Sequence, residues 1–426
     1  METVLLLQYE LQRRGYSVDI LNVYAFVRTK YVLWRKPVCI VVPFLYGDEE
    51  LQRWVYNFCG STRKVFNLQW EQVFNKSSDD DSRQTPSGHA REAAHLCWGE
   101  KSLRRLQRAG VANPLLLGHP GMDFLSPRFR GWYSDRSAVN ARYGFPEGRR
   151  MIFFISSFSY VSCTDSQLAF YSTITDRDPF AFKALSVETR NRILEWFDRY
   201  LTECGEAAVV VYRPHPAELR DGKIDELAAR HPSFYFIQDD SVRQWISVAD
   251  VVLNWYSTSA VEACFAGKRS YFLRPVEIPD GSDYRMFDGV EKITGYQGFV
   301  SCVKQATAPP EHDALRAHVG DYYAMTDGRV YADICDVLVK MRESDAYDMK
   351  GVYMNRARVV KDQITCLLKR LMTVVFGLYA PRCLTDRKRI ADVMRDYNRY
   401  KKEKISEADV RRFREKMAGI MRNQQD

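Results

Sequence analysis

The chain has 426 residues, of which 46% are hydrophobic and 27% charged, and its formal net charge is +8. This length and composition indicate a globular protein with more than one domain and exclude a disordered chain. No apolar run approaches the roughly 20 residues that a membrane-spanning helix requires, and no secretory leader is recognisable, so we expect a cytoplasmic protein.

The chain opens with a helix-like segment rather than a strand. Residues 1–14 follow a helical pattern, and a strand is predicted at 16–21. Rossmann-like sheets are built from strand–helix–strand units, in which a strand precedes the first helix. We therefore expect the first strand of this sheet to be missing from the chain, or its position to be filled by another element.

Apolar runs then alternate with helix-like segments. Continuous apolar strands between helices are typical of parallel sheets that are covered on both faces. The predicted strands are 38–44, 64–68, 114–118, 151–157, 208–212, 234–238 and 250–255.

A polar, basic and turn-rich stretch at 126–150 marks the predicted domain boundary, because a strong strand follows it. We predict an α/β fold with two Rossmann-like domains that face each other across a cleft. The amino-terminal Rossmann-like domain is 1–135, the second Rossmann-like domain is 136–345, and a basic helical tail is 346–426.

The segment VVVYRPHPAE (209–218) is a buried-looking strand that ends in an arginine and a histidine, each followed by proline. Arg213 and His215 emerge at the carboxyl end of this strand, and the two prolines stiffen the loop. A guanidinium and an imidazole on a rigid loop suit an anion, which predicts a phosphate site. The alternative is a histidine that only caps a neighbouring carbonyl.

A second polar cluster follows the strand at 250–255. Ser257, Thr258 and Ser259 stand where a helix is predicted to begin, a position that suits a phosphate. Ser259 and Glu262 also have the spacing of a capping box, which would satisfy the helix internally. Both interpretations stay open, and Glu262 either closes the box or reaches a ribose hydroxyl.

These landmarks resemble those of the bacterial surface-carbohydrate biosynthesis family, which consists of two-domain GT-B proteins of lipopolysaccharide and capsule loci. The resemblance rests on the order of segments 96–125, 141–159, 212–218 and 247–275. The His-Pro pair and the hydroxyl cluster are also similar to those of bacterial sialyltransferases, capsule Kdo transferases and teichoic acid polymerases. The resemblance implies that His215 contacts the phosphate of a cytidine nucleotide donor, with Ser257 and Thr258 sharing this role.

An inverting transfer requires a carboxylate that deprotonates the acceptor hydroxyl. The acidic motif that supplies this base in bacterial sialyltransferases is absent in its usual order. Glu71, which follows the strand at 64–68, is our first candidate, and Asp48 is the second. The alternative for Glu71 is an ordinary acid in the first turn of a helix.

Nothing in the sequence predicts a metal or another cofactor. The acidic run at 79–82 lies in a polar, serine-rich segment with no apolar strand directly before it, so we interpret it as a solvated loop. The ten cysteines include no CxxC pair, which disfavours a zinc site or a disulfide framework.

The carboxyl-terminal part carries the excess positive charge, since residues 351–426 contain 19 Lys and Arg against 9 Asp and Glu. Residues 386–422 combine this charge with an apolar stripe of helical spacing. Such a stripe either packs on the body of the protein or lies on an anionic membrane surface, and the charge favours the membrane.

Together with these features, the resemblance implies a metal-independent, inverting glycosyltransferase of bacterial surface glycan assembly, which we expect at the inner face of the cytoplasmic membrane. Its partners would be a nucleotide sugar, with a CMP-linked acidic sugar favoured, and a glycan or lipid-linked glycan acceptor. The alternatives are a CDP-polyol phosphotransferase of the teichoic-acid type and a non-catalytic glycan- or nucleotide-binding scaffold. No nucleic-acid-reading module is recognisable.

Overall fold

The computed structural model describes residues 2–21, 37–79, 85–173, 175, 177–305, 314–324, 326–375 and 405–422. The chain divides into two compact units. The first unit comprises Met1–Gln72, Asp81–Asp123 and Tyr323–Asp426, and the second comprises Val73–Asp80 and Phe124–Tyr322.

The first unit is built on a four-stranded parallel sheet whose strands lie side by side in chain order. The strands are β1 (Cys39–Val42), β2 (Lys64–Asn67), β3 (Ala94–Cys97) and β4 (Asn113–Leu116). The helices are Glu2–Arg13, Asp48–Glu50 with its continuations Leu51–Tyr56 (π) and Asn57–Cys59, Gly88–Glu92 (3₁₀), Glu100–Arg108, Val330–Glu343, Arg356–Val375 and Glu407–Arg422.

The amino-terminal segment forms the predicted helix, Glu2–Arg13, which packs on the helix Val330–Glu343. The strand predicted at 16–21 is wrong, because these residues form neither a strand nor a helix. The carbonyl of Val18 accepts a hydrogen bond from the side chain of Gln8 at 3.1 Å instead of joining a sheet ladder.

The helix Glu407–Arg422 is the described part of the predicted basic stripe, and it packs on the helix Glu2–Arg13. Phe413, Met417 and Ile420 are buried. In this helix the apolar stripe therefore packs on the body of the protein and does not lie on a membrane surface. Residues 376–404 lie outside the described part of the chain.

The second unit is built on a six-stranded parallel sheet with the order β10-β9-β8-β5-β6-β7. The strands are β5 (Arg150–Ile155), β6 (Ala208–Arg213), β7 (Phe234–Phe236), β8 (Val251–Asn254), β9 (Ser270–Leu273) and β10 (Lys292–Ile293). The helices are Arg136–Tyr143, Asp165–Tyr171, Pro179–Cys204, Gly222–Arg230, Val242–Val248, Ala260–Phe265, Tyr296–Lys304 and Ala314–Tyr322, and short 3₁₀ turns join some elements.

Alternate side chains of the central strand β5 enter different cores. Ile152 and Phe154 pack in one buried cluster, whereas Met151 and Phe153 pack in another on the opposite face. Burial on both faces explains why the sequence shows a continuous apolar run here. The predicted α/β class, with two parallel sheets and flanking helices, is confirmed.

The unit bounds differ from the predicted domain bounds of 135/136 and 345/346. Apart from Val73–Asp80, the second unit begins at Phe124, and residues 323–345 return to the first unit. Asp123 anchors this return, because its buried carboxylate accepts the backbone N–H groups of Val330 and Tyr331 at 3.3 and 2.8 Å. Burial raises the pKa of Asp123 to about 7.

Candidate functional site

The strand order of the second unit reverses at β5, whose neighbours are β8 on one side and β6 on the other. In open parallel sheets ligands bind at the carboxyl ends of the strands at such a reversal. Ile155, the last residue of β5, pairs with both Arg213 of β6 and Asn254 of β8. Because neighbouring strands lie about 4.8 Å apart, the loops that follow β6 and β8 begin about 10 Å from each other.

The loop after β6 is a tight turn, in which the N–H of Glu218 donates to the carbonyl of His215 at 2.8 Å. The N–H of Ala217 donates to Nδ1 of His215 at 3.1 Å. Burial, and next the charge of Arg213, lower the pKa of His215. The ring therefore accepts a hydrogen bond from its own loop and does not cap a carbonyl through Nδ1, so that alternative is wrong for this nitrogen.

Arg213 is a half-buried cation at the end of β6. Its Nη2 donates to the carbonyl of Asp240 at 3.0 Å. Its Nε is buried and has no hydrogen-bond partner among the described residues. A guanidinium with an unused N–H donor suits an anionic ligand.

The loop after β8 is held by Asn254, whose side-chain oxygen accepts the N–H of Ser257 at 3.3 Å. The hydroxyl of Ser257 in turn accepts the N–H of Ser259 at 3.2 Å. The hydroxyls of Thr258 and Ser259 are half-buried and have no hydrogen-bond partner among the residues that the structure describes.

The capping box predicted for Ser259 and Glu262 is wrong, because the side chain of Ser259 makes no capping hydrogen bond. Glu262 is buried and forms an ion pair with Arg243, with Oε1 and Nε 2.8 Å apart. The helix that follows is only the six residues Ala260–Phe265. Three hydroxyls thus stand at the end of β8, of which two have no partner among the described residues.

The candidate bases belong to the first unit. Glu71 is exposed and lies in a loop after β2, and residues 71–75 form no helix, so the interpretation as a first-turn helix acid is wrong. Asp48 accepts hydrogen bonds from the backbone N–H of His89 at 2.8 Å and from its ring Nδ1 at 3.1 Å. His89 also stacks on Tyr353, with ring centroids 3.5 Å apart.

A buried polar cluster beneath the His215 turn was not predicted. The carboxylate of Glu218 accepts hydrogen bonds from the hydroxyls of Ser156 and Tyr212, the latter at 2.6 Å, and Arg190 lies 3.8 Å away. Glu218 follows directly in the HPAE sequence, but nothing in that sequence identifies its partners. Ser156 follows β5, and Arg190 comes from the helix Pro179–Cys204.

No known protein-family profile matches the chain, and no curated protein matches it either. Among solved structures, the chain is similar to the wall teichoic acid polymerase TagF (H444N variant), with 11% identity, a TM-score of 0.45, and 66% of this chain and 73% of that chain covered. It is also similar to a UDP-N-acetylglucosamine 2-epimerase, with 14% identity, a TM-score of 0.47 and coverage of 83% and 97%. The UDP complex of MnaA from S. aureus shows 13% identity, a TM-score of 0.40 and coverage of 75% and 80%. At these identities and scores, the similarities do not bear on the activity of this chain.

Proposed function

We propose that the protein is a metal-independent, inverting glycosyltransferase that uses a nucleotide-activated sugar, with a CMP-linked acidic sugar favoured, to extend a bacterial surface glycan. One observation carries the proposal. Arg213, His215 and the hydroxyls of Thr258 and Ser259 lie on the ends and loops of the two strands that flank β5, and each offers a donor that no described residue uses.

This donor set suits a leaving phosphate. Negative charge grows on the departing phosphate as the glycosidic bond of the donor breaks, and pre-positioned donors stabilise that charge without reorganisation. Arg213 supplies a permanent charge, whereas His215 and the hydroxyls supply directed hydrogen bonds. Glu262, for which contact with a ribose hydroxyl was one of two interpretations, is held by Arg243 with one carboxylate oxygen and would contact the ligand only with the other.

For the acceptor we propose Glu71 as the catalytic base, with Asp48 as the alternative. Glu71 is exposed at the carboxyl end of β2, where it is free to take a proton from a bound hydroxyl. Asp48 already accepts two hydrogen bonds from His89, which leaves fewer of its lone pairs for a bound hydroxyl.

A second candidate function uses the same site. The unused hydrogen-bond donors would bind a phosphate and do not distinguish one sugar from another. A CDP-polyol phosphotransferase would therefore bind its CDP-polyol in the same way. A non-catalytic scaffold would also bind the nucleotide, but without turnover.

Thermal unfolding with CMP, CDP, UDP and GDP in parallel tests the proposal. A nucleotide at 100 times its Kd adds about 2.7 kcal/mol to the free energy of unfolding. A response to CMP alone supports an acidic-sugar donor, and a response to CDP favours the polyol alternative. A chain that responds to none of the four contradicts the proposal, and tight binding without turnover favours the scaffold.

For the membrane partner we propose a different element from the one that the sequence suggested. Val360, Ile364 and Leu368 are 58%, 53% and 55% exposed on the helix Arg356–Val375. Their spacing gives an apolar stripe on one face. Residues 356–404 contain 14 Lys and Arg against 5 Asp and Glu, which suits an anionic lipid surface. In the described part of the chain, no helix combines the length and apolarity that crossing a membrane requires.

A further inference from the structure

We propose that Glu218 is a positioning residue, which fixes the His215 turn so that the imidazole serves as a neutral Nε2–H donor to an anionic oxygen. The proposal rests on the proposed function for the identity of the ligand, because a phosphate oxygen is the acceptor that the site is expected to hold. The position and tautomer of His215, however, are properties of the free protein.

The tautomer follows from the contact between Ala217 and His215. The N–H of Ala217 donates to Nδ1 at 3.1 Å, and a nitrogen that accepts a hydrogen bond carries no proton. In the neutral ring the proton is then on Nε2, and Nε2 has no partner among the described residues. Protonation of Nδ1 would break the Ala217 contact and place a second positive charge near Arg213.

Glu218 holds the turn from below. One carboxylate oxygen, Oε2, accepts both the hydroxyl of Ser156 and the backbone N–H of His215, the latter at 3.3 Å. The other oxygen, Oε1, accepts the hydroxyl of Tyr212 at 2.6 Å. The carboxylate thus ties the backbone of His215 to the ends of β5 and β6.

The cluster requires a carboxylate at this position. Glu218 is 3% exposed, Tyr212 is 0% exposed and Arg190 is 2% exposed, so an uncompensated charge here would be costly. Arg190 lies 3.8 Å from Oε1 and also pairs with Asp221. The hydroxyls of Ser156 and Tyr212 also contact each other at 3.2 Å, and an ionised carboxylate accepts from both hydroxyls and from the backbone N–H of His215 at once.

An amide at position 218 would break this arrangement. Glu218→Gln presents an NH₂ group to one side of the cluster, so a donor faces either Tyr212 or the backbone N–H of His215. The turn would then loosen, and Nδ1 of His215 would lose its fixed contact with Ala217. Arg190 keeps its pair with Asp221, which favours a folded variant.

The charged groups that face His215 are Arg213 at the end of β6 and, through the turn, Glu218 with Arg190 behind it. Arg213 disfavours the imidazolium form. This agrees with the direction of the His215 pKa, which burial and Arg213 both lower.

The experiment uses the full chain labelled with ¹⁵N-histidine. In the free wild-type protein we expect His215 to show the Nε2–H tautomer and to titrate below an ordinary histidine. In Glu218→Gln we expect a mixture of tautomers and a changed titration. The matched control is Glu188→Gln, which changes an exposed glutamate that pairs with Arg192 on the helix Pro179–Cys204. Unchanged ¹⁵N shifts and titration in a folded Glu218→Gln variant would overturn the proposal.

Two milder variants keep the test decisive if Glu218→Gln does not fold. Ser156→Ala and Tyr212→Phe each remove one donor to Glu218, and each should shift the His215 signals in the same direction but less. A wild-type spectrum in both would refute the positioning role.

Substitutions of His215 itself distinguish a role for the Nε2–H donor from a role for a positive charge on the ring. His215→Gln places an amide N–H near the position of Nε2 and should retain part of the nucleotide affinity, whereas His215→Asn reaches only as far as Nδ1 and should not. Equal loss in both would contradict a neutral Nε2–H donor. The tautomer of His215 is measured without ligand. A failure to bind any nucleotide would therefore contradict the proposed function, whereas the test of Glu218 as a positioning residue would still be valid.

Discussion

Replacing His215 by alanine should leave the protein folded and lower turnover by on the order of 10²-fold. The imidazole contributes one internal hydrogen bond, from the N–H of Ala217, and that N–H lies on an exposed loop where water replaces the ring. The turn itself is kept by the Glu218 to His215 backbone bond and by the flanking prolines. The fold therefore loses little free energy.

The expected loss of activity is larger than the loss of stability, because the ring is proposed to donate to a phosphate on which negative charge develops. A hydrogen bond to a charged group contributes about 1.5–3 kcal/mol, and about 1.4 kcal/mol corresponds to tenfold in rate. The expected decrease is therefore about 10- to 150-fold, and it grows if the bond strengthens in the transition state.

Steady-state turnover with the nucleotide sugar identified by thermal shifts measures this effect. His318→Ala is the matched control, because His318 is an exposed histidine on the helix Ala314–Tyr322 of the same unit. A folded His215→Ala variant with wild-type turnover would remove His215 from the mechanism and refute the reasoning.

Three other predictions concern the metal, the fold and the membrane. Activity should survive excess EDTA, since protein donors are proposed to replace an ion, and a loss that Mg²⁺ or Mn²⁺ restores would contradict this. Asp123→Asn should lower the free energy of unfolding at neutral pH by about 1–3 kcal/mol, because an amide accepts well from only one of the N–H groups of Val330 and Tyr331. Denaturant unfolding measures this, and an unchanged free energy would contradict the prediction. Because the folded-state pKa of Asp123 is raised to about 7, its contribution to wild-type stability should fall as pH rises from about 4 to 7, and this slope should disappear in Asp123→Asn. The double substitution Ile364→Glu with Leu368→Glu should abolish co-sedimentation with anionic vesicles at low salt, whereas Phe170→Glu, an exposed apolar residue of the second unit, should not, and equal binding by both variants would refute the membrane face.

The sequence by itself determined the α/β class and the position of Arg213 and His215 at the end of a strand. The apolar runs at β5 and β6 are continuous because both faces of a parallel sheet are buried, and this pattern is local enough to read directly. Arg213 and His215 follow such a run at once, so their place at the carboxyl end of a strand needs no tertiary information. The strands β3, β9 and β10 were not predicted, although other strands of three or four residues were.

Only the tertiary structure decided which polar groups are already used. Ser259 and Glu262 have the spacing of a capping box, yet Glu262 pairs with Arg243, which lies 19 positions earlier in the chain. The stripe of the helix Glu407–Arg422 reads equally well as a membrane face, and only its packing on the helix Glu2–Arg13 shows that it is buried. The physical reason is the same in both cases: a hydrogen bond, an ion pair or a buried surface depends on partners that are distant in sequence, and local spacing carries no information about them.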